Sequence, residues 1–521
     1  MLAGLWAGCA AMLMACGGGG ADSALPLEQT PTTRTGSTAI DINLDLATDY
    51  SRSQMLADMV KAARTFNKLY QAGGPLANVD SDGWPTEDFS LILFNGIDRL
   101  GGVYKASFTG RADVAANGVP LTGVNYTQAS NTSSFDLVIS DADSTVVLDF
   151  ANTGNGVRNL KIMRPGHTTD EIWNRAFLAL LQPFGTLRSK DTTVTDDSQI
   201  ATWSQRRRPT DAQWTTLLAK DTVTREPGIP WEAVIHLSNI TSKDAWVSIP
   251  HQADDDYVRN LASLLHTTLR PGLKVYVEYS NEVWNGIYQQ HDWNLAAAVA
   301  EAGAGDPDLT WNAQNINGYW AARRVARRLI QIGNIFKEVM GEGAFGTRFR
   351  PVYATFIANP TLTADAMDMV RARYGPPRNY FHAVAVAPYQ LVPNTGDAAA
   401  LLASLRSFNA ATEYFYAEFA AHARTYELPI IAYEGGPDMT GDFDPATEQA
   451  RYAAVEAANN DPAMEEISYQ FLKQWFDAGF GGFAWYKITS PYSESWGLTD
   501  RVNRTDTPKM RAVRRIMQER G

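Results

Sequence analysis

Two patterns of apolar and polar positions divide the chain. From about Leu76 to Pro165, short segments alternate apolar with polar residues and are separated by Gly, Asn and Asp, which is typical of antiparallel strands joined by tight turns. Beyond Gly166, short apolar runs alternate with longer segments whose apolar residues recur at helical spacing. The first pattern predicts a β-sandwich-like module, and the second predicts repeated βα units around a parallel sheet.

Eight apolar runs are candidates for strands of the parallel sheet. They read AIDINL, GTLRSKD, WEAVIHLSN, KVYVEYSNE, RPVYATF, FHAVAVAPY, PIIAYEGG and GGFAWYKITS. Eight parallel strands are the number that closes a (β/α)8 TIM barrel, so the sequence predicts an α/β fold of that class. The run VRNLKIMRPG is a ninth candidate and could replace AIDINL as the first strand. We favour AIDINL, which makes the β-module an insertion into the barrel.

The same patterns set the expected domain boundaries. Residues 1–15 are expected to be a lipoprotein signal peptide, and residues 16–38, rich in Gly, Ser, Thr and Pro, a flexible tether. The first barrel strand is placed at 39–75, together with a helix predicted from the apolar spacing of RSQMLADMVKAARTFNKLY. The β-sandwich-like module is placed at 76–166, and the remainder of the barrel at 167–521.

The N-terminal segment sets the expected location of the protein. An uncharged apolar run ends in Leu13-Met14-Ala15-Cys16, the small-residue pattern before a Cys that is typical of bacterial lipoprotein signals, although the usual positive charge at the start is missing. We therefore expect cleavage before Cys16, lipidation of that residue and anchoring in the bacterial cell envelope, on either face of the outer membrane. Cys9 leaves with the signal, so we expect no disulfide in the mature chain.

Composition narrows the range of partners. The formal net charge is −12, which disfavours nucleic acid. The dense basic run Arg323, Arg324, Arg327 and Arg328 has the spacing of a solvated helix face. An aromatic content of 11%, with 14 Trp, favours stacking surfaces that suit sugars. No cofactor or protein partner is implied. The acidic run 254–256 stands in the first turn of a predicted helix, where it complements the helix dipole, so it does not imply a metal site.

Carboxylates follow two of the predicted strands. Glu282 ends the fourth strand, directly after Asn281, and Glu434 ends the seventh, directly before two glycines. The carboxyl ends of the strands meet at one face of a closed barrel, so both carboxyl groups are expected there. Until the strand ends and the chain turns, alternation puts Glu278 on the same side as Glu282, one layer deeper, and Asn281 on the other side. We expect Glu278 to have a structural role and to pair with an arginine.

Three motifs resemble those of clan A of the glycoside hydrolases. They are EYSNEVWN, IIAYEGG and GGFAWYKITS, and the similarity in element order runs from about Phe184 to the C-terminus. Members of this clan are (β/α)8 enzymes that cleave β-linked sugars with retention of configuration. The resemblance implies that Glu282 is the general acid/base and Glu434 the nucleophile of a double displacement. Val283 stands where many members have Pro, so the sugar and the linkage stay open, as does endo or exo action.

The resemblance also implies roles for four residues around the two glutamates. Asn281 would hold the 2-hydroxyl of the sugar beside the nucleophile, and Arg188 in TLRSKD would keep the nucleophile ionised. Tyr389, which ends AVAPY, would orient the nucleophile through its hydroxyl. Trp485 on the eighth strand would be the platform under the sugar at the cleavage point.

Two further candidates rest on position alone. His251 follows the third strand and could line a sugar cleft, cap a helix or pack. Trp284 either lines a sugar subsite or packs in the interior.

A second class of function also stays open: a carbohydrate-binding surface lipoprotein that keeps the barrel and has lost turnover. Two accessible carboxyl groups about 5 Å apart would favour the enzyme.

Overall fold

The structure is a computed structural model that describes residues 40–71, 73–215, 227–393, 396–439 and 448–520. The predicted signal peptide, the tether and Cys16 lie outside the described residues. Among the residues within these ranges, no helix combines the length and the apolar character needed to cross a membrane.

Eight parallel strands close into a barrel, which confirms the predicted fold class. The first to eighth barrel strands are Ile40–Asn43, Thr186–Arg188, Asp244–Ile249, Val275–Tyr279, Phe349–Ala354, Ala383–Val386, Ile430–Ala432 and Phe483–Trp485. The first strand pairs in parallel with both the second and the eighth, through Ile42 opposite Leu187 and Trp485. AIDINL therefore contributes to closing the barrel, and VRNLKIMRPG supplies a strand of the β-module instead.

Helices surround the barrel and bury its outer face. The α-helices that pack outside it, or follow it along the chain, are Arg175–Leu181, Trp231–Thr241, Asp255–Thr268, Gln289–Gly303, Asn317–Met340, Pro360–Arg373, Ala398–Ala411, Glu413–Tyr426, Glu448–Asn460, Ala463–Asp477 and Pro508–Arg520. Along each strand, alternate residues face the helices or the lumen. Ile42 and Val247 belong to the large core shared with the helices, whereas Trp246 and Tyr433 belong to a separate cluster inside the barrel.

One predicted strand is a helix. WEAVIHLSN lies in helix Trp231–Thr241, and the third barrel strand is the next run, Asp244–Ile249. Every residue of this helix except Glu232 is buried. A helix buried all round has no polar face to reveal its period, so the run could not be distinguished from a buried strand. The predicted number of eight barrel strands is still correct, because DAWVSI forms the third strand in place of WEAVIHLSN.

The long helix predicted after the first strand is reduced to Met59–Ala62. Met55 and Leu56 pack in the core of the barrel, whereas Met59 and Val60 pack in the core of the β-module. The apolar residues of this segment thus pack in two different cores. Their spacing along the sequence is nevertheless that of one helical face, which is why a single long helix was predicted. Helix Arg175–Leu181 lies between the first and second barrel strands along the chain.

The inserted module consists of two four-stranded antiparallel sheets. One contains Asn67–Lys68, Phe89–Asn95, Thr145–Ala151 and Asp113–Ala116, and the other contains Leu121–Thr127, Thr132–Ile139, Gly102–Thr109 and Arg158–Met163. Between the sheets lies a hydrophobic core separate from that of the barrel, in which Phe89 and Phe150 stack at 4.6 Å. Tyr104, Phe108 and Phe135 are buried in this core. Among the described strands, those of the module pair only with one another.

The basic run in helix Asn317–Met340 is only partly a solvated face. Arg323 is fully buried and forms an ion pair with Asp365 at 2.7 Å. Arg324 lies 3.0 Å from Glu301 in a second ion pair. The helix packs against three other helices, so it has more than one buried side. The prediction of a single exposed basic face was therefore wrong for Arg323.

Candidate active site

Arg188 is the last residue of the second barrel strand and is 0% exposed. Its Nη1 donates to Asn43 Oδ1 at 2.9 Å and to Glu434 Oε1 at 2.7 Å. Its Nη2 donates to Asn281 Oδ1 at 2.8 Å and to Glu278 Oε2 at 2.9 Å. Charged hydrogen bonds of this kind are stronger in a dry interior than in water. One guanidinium thus fixes four side chains from the first, fourth and seventh strands.

Glu278 is a fully buried member of this network and accepts hydrogen bonds from three side chains. Besides Arg188, Trp246 Nε1 donates to its Oε2 at 2.9 Å and Ser248 Oγ donates at 3.1 Å. Complete burial raises the pKa of Glu278, and the Arg188 charge opposes that shift. The structure places beside Glu278 the arginine expected for it.

Glu434 is held at both oxygens. Arg188 binds Oε1, and the Tyr389 hydroxyl donates to Oε2 at 2.6 Å. The ammonium of Lys190 lies 3.7 Å from Oε1. Two cations and a hydroxyl therefore surround the oxygens of this glutamate.

The two glycines after Glu434 are required by close packing. A Cβ at Gly435 would lie 2.6 Å from the Phe483 ring, and a Cβ at Gly436 would lie 3.2 Å from the Trp485 indole. Gly436 also has φ +137°, a conformation that L side chains rarely adopt. The sequence EGG thus lets the chain turn against the eighth strand directly after the carboxylate.

The fourth strand ends before its functional residues. Regular pairing stops at Tyr279, and both Ser280 (φ +57°) and Glu282 (φ +41°) adopt left-handed backbone conformations. The period-two alternation ends there, so Asn281 and Glu282 are not held on opposite sides. The turn brings Asn281 to Arg188 and Glu282 to Tyr433.

Glu282 is buried and accepts two neutral hydrogen bonds. The Tyr433 hydroxyl donates to its Oε1 at 3.0 Å, and Asn285 Nδ2 donates to its Oε2 at 2.8 Å. Burial, and next the charge of Glu434, raise the pKa of Glu282 to about 7. The two glutamates therefore lie in contrasting surroundings: cations hold Glu434, whereas Glu282 has neutral donors and retains a proton up to neutral pH.

Asn281 is held on both sides of its amide. Oδ1 accepts from Arg188, and Nδ2 donates to Asp196 Oδ1 at 2.8 Å. Gln290 Nε2 donates to the same Asp196 oxygen at 3.0 Å and to the Asn281 carbonyl at 2.8 Å. The amide group is thereby fixed beside the guanidinium that binds Glu434.

Several residues of this network were missed in the sequence. Lys190 pairs with Asp191 at 2.9 Å and with Asp196 at 3.1 Å, and its ammonium lies 5.1 Å from the centre of the Tyr486 ring. Lys190 stands two residues after Arg188, so strand alternation could have pointed to it. Tyr433 directly precedes Glu434, but no motif distinguishes it from a core tyrosine.

Trp485 does not offer a face to a ligand. It is 0% exposed, belongs to the core shared with the helices and donates its indole N–H to the Trp496 carbonyl at 2.9 Å. The next residue, Tyr486, is partly exposed and lies edge to face with Tyr389 at 6.1 Å. Adjacent strand residues face opposite sides, so the platform predicted at Trp485 is better matched by Tyr486.

His251 and Trp284 take different positions. His251 is 2% exposed and lies edge to face with Trp293, and burial lowers its pKa to about 4. These contacts are those of a packed, neutral imidazole. Trp284 is partly exposed, stacks on Phe356 at 4.3 Å and donates its indole N–H to the Tyr433 hydroxyl at 3.2 Å. Trp284 therefore belongs to the network around Glu282.

Within the described ranges, no group of three or more His, Cys, Asp or Glu side chains is arranged to hold a metal ion. In the acidic run, Asp254 caps helix Asp255–Thr268 by accepting the Tyr257 backbone N–H at 2.7 Å. The carboxylate thus satisfies a free N–H group of the first turn.

Comparisons with known proteins assign the chain to no family. No family profile and no curated protein matches its sequence significantly. Similar solved structures include the CBM22-1 and GH10 modules of endo-1,4-β-D-xylanase 10B from Clostridium thermocellum, at 8% identity and a TM-score of 0.38 over 93% of this chain and 98% of that chain. Another is the GH51 arabinofuranosidase from Xanthomonas axonopodis pv. citri, at 10% identity and a TM-score of 0.40 over 62% of each chain. Such values are too low to decide function.

Proposed function

We propose that the protein is a retaining glycoside hydrolase that cleaves β-linked glycosidic bonds of a polysaccharide or oligosaccharide. The observation that carries this proposal is the contrast between Glu282 and Glu434. Burial, and next the charge of Glu434, raise the pKa of Glu282 to about 7, so this side chain can donate a proton near neutral pH. The Glu434 oxygens instead face two cations and a hydroxyl, those of Arg188, Lys190 and Tyr389. Acetal cleavage with retention needs such a pair, one proton donor and one anion.

In the first step, a Glu434 oxygen attacks the anomeric carbon while the bond to the leaving oxygen breaks. Glu282 gives its proton to that oxygen, which leaves as an alcohol. In the second step, Glu282, now a carboxylate, takes a proton from water as the water oxygen attacks the same carbon. The bond to Glu434 breaks, and two inversions give net retention.

The surrounding residues support these two roles. Arg188 and Tyr389 orient the Glu434 oxygens, and Asn281, fixed by Arg188 and Asp196, is placed to bind a sugar hydroxyl near Glu434. This constellation matches the roles that the resemblance to clan A implies. It uses no metal or cofactor, and its partner is a carbohydrate.

The proposal is tested by incubating the purified protein with β-glucans, mannans, xylans and bacterial exopolysaccharides. Proton NMR then follows the first anomer released, with Glu434→Gln as the matched inactive control. We expect a β-anomer as the first product from one substrate and none from the control. An α-anomer first would exclude retention. Binding of a glycan without turnover by either protein would instead support the carbohydrate-binding lipoprotein.

We further propose that lipid on Cys16 anchors the enzyme in the bacterial cell envelope. The support is the run Leu13-Met14-Ala15-Cys16. Labelling cells with a fatty-acid analogue should mark the wild-type chain and leave Cys16→Ser unmarked. Equal labelling of both chains would refute the anchor.

A further inference from the structure

Glu282 is connected to a chain of two aromatic side chains. The Trp284 indole N–H donates to the Tyr433 hydroxyl oxygen at 3.2 Å, and the Tyr433 hydroxyl donates to Glu282 Oε1 at 3.0 Å. Tyr433 is fully buried, and the Arg188 guanidinium lies 5.0 Å from the centre of its ring. The tyrosine that touches Glu282 is also the residue next to Glu434.

When Glu282 is a carboxylate, the chemistry of these groups fixes the direction of both hydrogen bonds. An indole N–H can only donate, so the Tyr433 oxygen must accept from Trp284. A tyrosine hydroxyl has a single proton, which is then directed to Glu282. A donor to a carboxylate favours its charged form, against the effects of burial and of Glu434.

We propose that Trp284 and Tyr433 are positioning residues for the acid/base Glu282. Trp284 sets the orientation of the Tyr433 hydroxyl, and Tyr433 holds Glu282 Oε1 and stabilises the carboxylate that forms when Glu282 gives up its proton. This inference rests on the proposed function only for its kinetic readout. The hydrogen-bond chain itself can be tested in the protein without substrate.

Other titratable groups also face Glu282. Glu434 raises its pKa and Lys190 lowers it, after burial as the largest cause. Burial raises the pKa of Tyr288 and of Tyr389, and the negative charge of Glu282 adds to both shifts. Replacing Tyr433 by Phe changes none of these side chains, so a resulting change in the titration of Glu282 reports the lost hydroxyl.

The test compares Tyr433→Phe, Trp284→Phe and the double variant with the wild-type protein. Carbon-13 NMR of glutamate carboxyl groups follows the titration, and the signal absent in Glu282→Gln identifies Glu282. We expect Tyr433→Phe to raise the midpoint by about one pH unit, and Trp284→Phe to raise it by less. The high-pH limb of kcat/KM should move in the same direction.

The double variant and a control give the test its specificity. Because Trp284 acts through Tyr433, the double variant should titrate like Tyr433→Phe alone. Trp320→Phe is the matched control, since the Trp320 indole N–H has no hydrogen-bond partner among the described residues. An unchanged midpoint in Tyr433→Phe would overturn the proposal, as would a full additional shift from Trp284→Phe in that background. If no glycan is hydrolysed, the NMR titration still decides it.

Discussion

Arg188 Nη1 lies 2.7 Å from Glu434 Oε1, and both side chains are almost completely buried. The same guanidinium also pairs with Glu278, which is fully buried and has no access to water. Removing one partner of a buried ion pair leaves an uncompensated charge, which costs far more than the pair itself contributes. Arg188 is therefore needed for both stability and chemistry.

We expect Arg188→Met to lower the free energy of unfolding by about 3–5 kcal/mol and to abolish turnover. Arg323→Met is the matched control, because Arg323 is also fully buried and pairs with Asp365 away from the site. Urea unfolding should show a comparable loss in both variants, whereas only the control should retain activity at low temperature. Turnover at the wild-type rate in Arg188→Met would contradict the site as described.

The high-pH limit of activity should come from Glu282. The acid step needs the protonated form, and the pKa of Glu282 is about 7, so kcat/KM should fall above about pH 7. With an aryl glycoside whose leaving group needs no protonation, this limb should become weaker. A pH profile with no decline between pH 7 and 9 on a natural glycan would exclude Glu282 as the acid.

The same pKa predicts how stability depends on pH. Folding raises the pKa of Glu282 from 4.5 to about 7, so between these values the folded state binds more protons than the unfolded state. The contribution of Glu282 to stability is complete below pH 4.5 and decreases as the pH rises to 7, by on the order of 3 kcal/mol. Relative to wild type, Glu282→Gln should gain stability over this window in urea unfolding. Parallel pH curves for the two proteins would contradict the raised pKa.

Tyr389 should matter for rate rather than for folding. Tyr389→Phe removes the hydroxyl that donates to Glu434 at 2.6 Å, and we expect kcat/KM to fall about 10- to 100-fold. Tyr426→Phe is the control, because the Tyr426 hydroxyl donates to Asp368 at 3.1 Å, outside the site. Circular dichroism should show both variants folded. An equal loss of activity in both would mean that the effect is not specific to Glu434.

The positions of Trp485 and Tyr486 predict opposite effects of substitution. Trp485→Ala removes a fully buried indole and should destabilise the fold by about 3–5 kcal/mol. Tyr486→Ala removes a partly exposed ring beside Tyr389 and should mainly raise KM. The comparison uses KM and urea midpoints measured on both proteins. A raised KM with full stability in Trp485→Ala would restore Trp485 as the sugar platform.

The number of strands and the barrel could be predicted because short apolar runs with turn residues between them are local signals. The exchange of WEAVIHLSN for DAWVSI shows the limit of such signals. Apart from Glu232, every residue of both runs is buried, and burial on all sides erases the period. The short helix Met59–Ala62 shows another limit. Its neighbours divide between two hydrophobic cores, and that division is a property of the tertiary structure.

The candidate site was predictable where a residue stands at a strand end, as Glu282 and Glu434 do. The positive φ angles of Ser280 and Glu282, which turn Asn281 toward Arg188, have no signal in the residue types themselves. Tyr433 follows the seventh strand and contacts Glu282 after the fourth, although these strands are not neighbours in the barrel. Such contacts follow from barrel closure.

The central claim is the division of labour between Glu282 and Glu434, and azide rescue tests it most directly. The substrate is an aryl β-glycoside, with a good leaving group, of a sugar that the enzyme accepts. Azide should restore turnover of Glu282→Ala and give the β-glycosyl azide, because the covalent intermediate on Glu434 still forms. With Glu434→Ala, azide should give the inverted α-glycosyl azide. The inverted azide from Glu282→Ala, or full activity without azide in either variant, would contradict the assignment.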